Sequence, residues 1–307
     1  MTRSSRVAPA LLLVAACGDP LKPPELIEEP RVIGGRVEVD AERARAWPAP
    51  GEGATVRWLV GFPAAKLPMT SGILVCPGRP QSMGVPDCAG PPFATAVTQI
   101  PSTDEPALHF ELPDEEALVG IDRALALGIL CSAGLPVLRE SIRDSGCSDP
   151  AARPLRFSLE IGVARDGVEN HNPDLSAAVV ELDGEPWEPA SPADEAGAGC
   201  AGARARPAIA AGSGRHRISV TTAPGDREPI PAEDRREPLQ LTYLTTSGDL
   251  EHSYGVLEGD AKDDRLEVDW EAPADAPDAG QIVRFYLVGR DLRGGADWTE
   301  RAACVVP

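Results

Sequence analysis

Histidine, serine and acidic side chains form most hydrolytic and metal sites. In this sequence they are spread along the chain and form no recognisable motif. Gly212-Ser213-Gly214 lacks the G-x-S-x-G pattern of a nucleophile elbow, so we interpret it as a turn. None of the four histidines has an H-E-x-x-H motif or a matched carboxylate near it in the sequence; they are His109, His171, His216 and His252. The sequence therefore predicts no catalytic residue and no cofactor.

The acidic stretch GDAKDD at 259–264 offers carboxylates of the kind that calcium binds. It lacks the D-x-D-x-D-G spacing and the final glutamate of a calcium loop, so we expect a solvated acidic turn. Trp58 and Trp270 fall on inward positions of alternating segments, which favours a place in the core over a sugar-binding surface.

Cys17 carries the most specific chemical signal. Arg3 and Arg6 give a positive start, Val7 to Val14 is apolar, and small residues lead to the cysteine. The apolar run is too short to cross ~30 Å of hydrocarbon as a helix. The segment is thus typical of an export signal.

Val14-Ala15-Ala16-Cys17 resembles the lipobox of bacterial lipoproteins. The resemblance implies a signal peptide at 1–16, a diacylglycerol on the thiol of Cys17, and a membrane partner reached through that lipid. The alternative is a free or disulfide-bonded Cys17 after ordinary cleavage. We expect a lipid-anchored protein of the Gram-negative cell envelope, with the outer membrane favoured over the inner, facing the periplasm or the cell surface.

The chain has seven cysteines, which would leave one thiol unpaired in an oxidising compartment. If Cys17 carries lipid, six remain: Cys76, Cys88, Cys131, Cys147, Cys200 and Cys304. No C-x-x-C occurs among them, which argues against a zinc site. Three disulfides are the natural expectation.

The formal net charge of −19, with no basic cluster to offset it, argues against nucleic acid as a partner. Residues 17–31 are rich in proline and acidic side chains. We interpret them as a passive tether, which at ~3.1 Å per residue could hold a domain up to about 40 Å from the membrane.

Beyond the tether, apolar residues alternate with polar ones, as in half-buried strands. The 30 glycines and 32 prolines are too frequent for long helices. The only plausible helix is the short segment 114–120. The pattern predicts an all-β protein of two immunoglobulin-like β-sandwich modules in tandem, module 1 at 32–168 and module 2 at 169–307.

Module 2 opens with Asn170-His171-Asn172-Pro173 and closes with V-x-D-x-x-G-G-x-D, matched at Asp291, Gly294, Gly295 and Asp297. Both patterns resemble bacterial PKD-like and cadherin-like domains of the immunoglobulin type, although the W-x-F-G-D-G tract of PKD domains is absent. We expect the two glycines to supply positive φ values and Asp291 to accept hydrogen bonds from turn amides.

With that module boundary, Cys200 and Cys304 stand alone in module 2 and should pair. Three pairings remain in module 1, of which Cys76–Cys88 with Cys131–Cys147 is favoured because short loops close most readily. Cadherin-type chains bind calcium at module junctions, so Glu169, Asn170, Asn172 and Asp174 are calcium candidates. These residue types are also common in turns.

The expected function is that of a non-enzymatic, lipid-anchored interaction or structural module. Its partner would be another envelope protein or polymer, bound through the irregular loops 186–207 and 223–238. The alternative is an envelope hydrolase acting on glycan or peptide, with a site assembled from strands without a local motif.

Overall fold

A computed structural model describes residues 23–79, 86–101, 105–139, 141–201, 206–230 and 235–307. The predicted signal peptide and Cys17 lie outside these described residues. No described helix is long and apolar enough to cross a bilayer.

Module 1 consists of strands joined by turns and loops. Its strands are β1 (Arg31–Val39), β2 (Gly53–Gly61), β3 (Met69–Pro77), β4 (Ala94–Ile100), β5 (Ala107–Glu111), β6 (Arg123–Cys131), β7 (Pro136–Val137), β8 (Gly146–Cys147) and β9 (Leu155–Gly162). They form a sheet β1-β2-β5, a sheet β4-β3-β6-β9 and the small ribbon β7-β8.

Module 2 repeats this architecture with one 3₁₀ turn, Pro224–Asp226. Its strands are β10 (Val179–Leu182), β11 (Glu185–Pro186), β12 (Ala208–Ala210), β13 (Arg215–Thr221), β14 (Leu239–Thr245), β15 (Asp249–Leu250), β16 (Tyr254–Leu257), β17 (Arg265–Glu271), β18 (Gln281–Arg290) and β19 (Ala296–Val306). The sheets are β11-β10-β13-β17-β15 and β12-β19-β18-β14-β16.

The two modules share a strand order. In the first sheet, the strand order β1-β2-β5 of module 1 matches β10-β13-β17 of module 2. In the second sheet, β4-β3-β6-β9 matches β16-β14-β18-β19. Each module is therefore a β-sandwich in which two mainly antiparallel sheets enclose a core, the arrangement expected for immunoglobulin-like domains, and the short β12 pairs with β19 in parallel.

Aromatic pairs fill both cores. Trp58 and Phe157 lie 4.7 Å apart between ring centroids in module 1. In module 2, Phe285 contacts both Trp187 and Trp270, each at 4.9 Å. Trp58 and Trp270 are almost fully buried, as the alternation of their strands predicts.

The three disulfides are Cys76–Cys88, Cys131–Cys147 and Cys200–Cys304, the pairing favoured from the sequence. The two in module 1 fasten loops over the second face of β3 and β6. Leu125, Leu127 and Ile129 of β6 are buried there against Ile142. The strand is consequently covered on both faces, which explains its nearly continuous apolar sequence.

The helix predicted at 114–120 is wrong. Residues 115–120 form consecutive turns, in which Leu118 N donates to Asp114 O at 3.2 Å. Gly120 has a φ of +76°. A segment this short cannot recover the cost of helix nucleation, and the buried Leu118 anchors it as a turn instead.

The end of the predicted tether also differs from expectation. Ile27 is buried, its N–H donates to Thr245 O at 2.8 Å, and Thr245 N donates to Glu25 O at 3.0 Å. β1 begins at Arg31. Residues 25–31 are thus part of the folded structure, because Leu26 and Ile27 supply apolar surface that a passive spacer would not need.

Candidate functional site

A cleft lies between the two modules, with walls from both. Its volume is about 510 Å³, and its lining residues are Arg57, Ala64, Lys66, Glu105, Ala190, Pro192, Glu195, Ala196, Arg284, Tyr286 and Glu300. Arg57 comes from β2, Arg284 and Tyr286 from β18, and Glu300 from β19. Clefts at domain interfaces are common binding sites.

Buried apolar side chains hold the two walls together. Ile33 and Leu59 of module 1 pack with Leu244, Tyr286 and Val288 of module 2, and Ile27 completes the cluster. Phe62 N donates to the Tyr286 hydroxyl at 3.3 Å. The cleft therefore has a fixed width, set by a small core that the modules share.

Polar contacts also join the two modules, next to the apolar cluster. Arg36 forms an ion pair with Asp297 and lies over the Trp298 ring at 4.5 Å. Trp298 Nε1 donates to Glu105 Oε1 at 3.0 Å, and Arg290 donates to Ile33 O at 2.6 Å. Together, these ion-pair, cation–π and hydrogen-bond contacts are expected to restrict motion between the modules.

Arg284 supports one rim of the cleft. Its side chain is largely buried, pairs with Glu300, and donates to Asp194 O at 2.6 Å. The rim residues Ala190 to Ala196 belong to the loop 186–207 that we predicted as a binding loop. The structure places the described part of that loop at the cleft.

The cleft carries both signs of charge. Arg57 pairs with Glu38 at 3.1 Å, whereas Lys66 makes no ion pair with any residue the structure describes. Burial raises the pKa of Glu105 above its ordinary value, and the hydrogen bond from Trp298 opposes that shift. A polar ligand with groups of both signs would find partners here.

An apolar recess opens beside the cleft and shares Lys66 and Glu105 with it. Its volume is about 20 Å³, and its other lining residues are Leu59, Val60, Phe62, Leu67, Met69, Ile100, Pro101, Pro106 and Leu130. Leu67 is 59% exposed at its mouth. The site thus combines charged walls with one small apolar slot.

The second predicted loop, 223–238, lies elsewhere and is anchored to the fold. Arg227 is buried, donates to Glu237 O at 3.0 Å, and pairs with Asp264 at 3.1 Å. Arg236 pairs with Asp264 as well, at 2.9 Å. Asp264 of the predicted acidic turn therefore serves as an ion-pair anchor for this loop, in its described part.

The calcium candidates are engaged in bonds to protein groups. Glu169 pairs with Arg45 at 3.1 Å, and Asn170 is buried with its Nδ2 donating to Asp291 Oδ2 at 2.7 Å. Asn172 Nδ2 donates to Val37 O at 2.7 Å, which ties module 2 to β1. Asp174 Oδ1 accepts from Ser176 N at 3.0 Å.

Within the described ranges, no group of three or more histidine, cysteine or acidic residues is placed to hold a metal ion. Calcium binding at the junction stays a prediction. Calorimetric titration with millimolar calcium tests it. The absence of both binding heat and a change in thermal midpoint would contradict it.

The turn after β18 matches its predicted chemistry in part. Asp291 Oδ1 accepts hydrogen bonds from the backbone amides of Arg293, Gly294 and Gly295 at 2.7–3.0 Å. Gly294 has a φ of +116°, as expected for a tight turn. Gly295 is required for another reason: a Cβ there would stand 2.5 Å from His171 O.

Three of the histidines have carboxylate partners that are distant in the sequence. His109 contacts Asp40 at 2.8 Å, His171 contacts Glu228, and His216 Nδ1 contacts Asp183 Oδ2 at 2.7 Å. His216 Nε2 also lies 2.8 Å from Ser213 Oγ. Sequence reasoning missed these pairs because their members lie on different strands and turns.

No protein-family model matches the chain, and no curated protein sequence matches it. Among solved structures, red sea bream transglutaminase aligns over 90% of this chain at 10% identity with a TM-score of 0.26. The alignment covers 31% of that protein, so this chain spans about a third of its length.

A marsupial T cell receptor aligns over 89% of this chain and 73% of its own, at 9% identity and a TM-score of 0.21. Both likenesses are distant and carry no statement about activity. The chain is an all-β protein with immunoglobulin-like β-sandwiches, as its own sheet order requires.

Proposed function

We propose that this chain is a lipid-anchored protein of the Gram-negative cell envelope that binds another envelope protein or polymer in the cleft between its modules. The binding role is inferred from the cleft. Its walls come from both modules, and one buried apolar cluster holds these walls together. A preformed site loses little conformational entropy on binding, which favours recognition of a partner.

Lipid anchoring rests on Val14-Ala15-Ala16-Cys17. Cys17 precedes Glu25, where the chain joins the folded structure, by eight residues. Fully extended in the polyproline form, these residues would reach about 25 Å. The cleft would then stand close to the membrane, within reach of partners at or near its surface.

Module 2 is proposed to belong with PKD-like and cadherin-like domains. The support is its opening Asn170 and Asn172 and its closing turn at Asp291. The two ends meet in space, because Asn170 donates to Asp291 and Asn172 Oδ1 accepts from Ala296 N at 3.0 Å. Domains of this kind serve mainly as adhesive or spacing units, which agrees with a binding role.

The charge and shape of the cleft favour an extended peptide segment with charged side chains over a featureless polymer. Lys66 would meet an acidic group or a chain carboxylate, and Glu195 would meet a basic group. The recess, at about 20 Å³, has room for a group no larger than a methyl. Such a segment has no need for the deep enclosure that a small ligand requires.

The test is affinity capture from detergent-solubilised envelopes with two charge-reversal variants. Lys66→Glu inverts the charge of the cleft, whereas Arg43→Glu makes the same change at an exposed position in module 1 outside the cleft. We expect capture to be lost with Lys66→Glu and kept with Arg43→Glu. Equal capture by both variants and the wild type would show that the cleft does not bind the partner.

A further inference from the structure

One end of module 2 contains a hydrogen-bonded chain of three side chains, Ser213, His216 and Asp183. Ser213 Oγ lies 2.8 Å from His216 Nε2, and His216 Nδ1 lies 2.7 Å from Asp183 Oδ2. Both nitrogens of the imidazole are therefore engaged, one by a hydroxyl and one by a carboxylate. This is the connectivity of a serine nucleophile, its general base and the acid that orients the base.

Asp183 is held by the backbone of the neighbouring strand. Its Oδ1 accepts from Arg217 N at 2.8 Å, and its own N–H donates to Arg217 O at 2.8 Å. It occupies the two-residue turn between β10 and β11 with a φ of +54°, followed by Gly184 at +82°. The carboxylate is thus fixed on the rigid edge of a sheet.

His216 is fixed by packing. Its side chain is 14% exposed and lies against the Trp270 ring at 5.9 Å between centroids. It lies directly opposite Trp270 in the β13–β17 ladder. The imidazole therefore cannot turn away from Ser213 without losing this contact and its bond to Asp183.

Ser213 is exposed and reachable from solvent. Its Oγ lies 2.6 Å from Ala210 O as well, so the hydroxyl has two acceptors. When the imidazole carries both protons, Nε2–H donates to Oγ and the hydroxyl donates to Ala210 O. When the imidazole is neutral with its proton on Nδ1, Nε2 accepts the hydroxyl proton, as a general base must.

The next residue leaves room for a substrate. Gly214 has a φ of +94°, and a Cβ placed on it would meet no heavy atom within 4 Å. In serine hydrolases the amide that follows the nucleophile commonly helps to stabilise the oxyanion. The Gly214 N–H is the amide in that position here.

We propose that Ser213, His216 and Asp183 form an esterase site, separate from the cleft and independent of the binding role. Ser213 Oγ attacks the carbonyl carbon of an ester while its proton passes to His216 Nε2. The bond to the alcohol oxygen then breaks, and that oxygen takes the proton from His216. Water, deprotonated by the same nitrogen, then attacks the acyl carbon. The bond from that carbon to Ser213 Oγ breaks, Oγ takes the proton back from His216, and the carboxylic acid is released.

The substrate class follows from the exposure of the site. Ser213 lies on a surface turn, so an ester that projects from a large or flexible molecule fits better than one that must be enclosed. Asp183 acts through His216 and is a positioning residue, whereas Ser213 and His216 would touch the reacting atoms.

The experiment treats the purified protein with a fluorophosphonate probe and with p-nitrophenyl acetate, and maps the adduct by mass spectrometry. We expect the phosphonyl group on Ser213. Ser213→Ala should abolish labelling, and His216→Gln should slow both reactions roughly 100-fold. Ser158→Ala, at an exposed position on β9, is the matched control and should react like the wild type.

The rate of labelling of an Asp183 variant separates positioning from a structural role. Asp183→Asn keeps a residue that tolerates a positive φ but removes the carboxylate from His216 Nδ1. We expect this variant to lower the rate constant of phosphonylation while the thermal midpoint stays that of the wild type, whereas a purely structural role would lower the thermal midpoint.

Thermal unfolding of each variant checks that it is folded. Absence of any phosphonyl adduct on the folded wild type would overturn the proposal. So would labelling that survives Ser213→Ala, because the reactive residue would then lie elsewhere.

Discussion

Trp298 of module 2 donates its indole N–H to the carboxylate of Glu105 of module 1, at 3.0 Å. Glu105 also lines the cleft and its apolar recess, so one side chain belongs both to the junction and to the proposed binding site. Binding in the cleft and the contact between the modules are therefore physically linked at this residue.

Glu105 makes stability depend on pH. Burial raises the pKa of this carboxyl, so its protonated form is favoured in the folded state. Its contribution is most favourable below the ordinary glutamate pKa and is lost as pH rises through the folded value. Glu105→Gln should therefore raise the thermal midpoint at pH 7 relative to the wild type.

The check is thermal unfolding of both proteins between pH 4 and pH 7. The advantage of Glu105→Gln should shrink as pH falls and the wild-type carboxyl takes up its proton. A Gln variant that is less stable than the wild type at pH 7 would contradict this assignment.

The long disulfide should contribute more to stability than either short one. Cys200–Cys304 spans 104 residues and joins the loop before β12 to β19, whereas Cys76–Cys88 spans 12. In the chain-entropy model their losses cost roughly 5 and roughly 3 kcal/mol. Urea unfolding of the two double-alanine variants measures the difference, and equal losses would contradict the model.

If Cys17 receives the lipid, this residue determines whether the protein is attached to the membrane. Cys17→Ala should move the protein from the membrane fraction to the soluble fraction and remove the acyl mass from the mature N-terminus. Membrane fractionation and N-terminal mass spectrometry provide the measurement. A variant that stays in the membrane fraction with an unchanged N-terminal peptide would contradict lipid anchoring.

Local patterns predicted much of the fold. The alternation of apolar and polar residues agrees with β9, where Phe157 and Ile161 are buried and Arg156 and Ser158 are exposed. The short cysteine spacings favoured the pairings that the structure contains. Both signals depend on residues close together in the chain. Strand periodicity and loop closure are local properties, so a single sequence carries them.

Similar short patterns in the two modules identify equivalent strands only in part. Glu111-Leu112-Pro113 and Glu271-Ala272-Pro273 mark the ends of β5 and β17, which hold the same place in their sheets. Trp58 and Tyr243, which each follow a glutamate by six residues, do not correspond, because β2 matches β13 whereas β14 matches β3. Similar residue types on half-buried strands mislead when strand pairing is unknown.

The sites themselves could not be read from local spacing. Arg57 and Arg284 meet at the cleft although they lie 227 residues apart in the sequence, and Asp183 reaches His216 across a sheet edge. Such contacts depend on how sheets pair and modules dock. A motif search reports only residues that are neighbours in the chain.

Ile27 provides the last test, since it joins the N-terminal segment to the junction. It is 1% exposed and packs with Ile33, Leu59 and Leu244, next to a backbone hydrogen bond from its own N–H to Thr245 O. Ile27→Ala leaves a cavity in the only small core that both modules share in the described chain, and this change should cost roughly 2–5 kcal/mol.

Val119→Ala is the matched control, because Val119 is 77% exposed and its truncation should change stability by less than about 0.5 kcal/mol. Urea unfolding gives both values, and hydrogen exchange at Ile27 and Thr245 reports whether the N-terminal segment has come loose. With Ile27→Ala we expect faster exchange at both amides, since the N-terminal segment would lose its buried contact with the junction. Unchanged exchange and stability would show that the segment does not depend on this side chain.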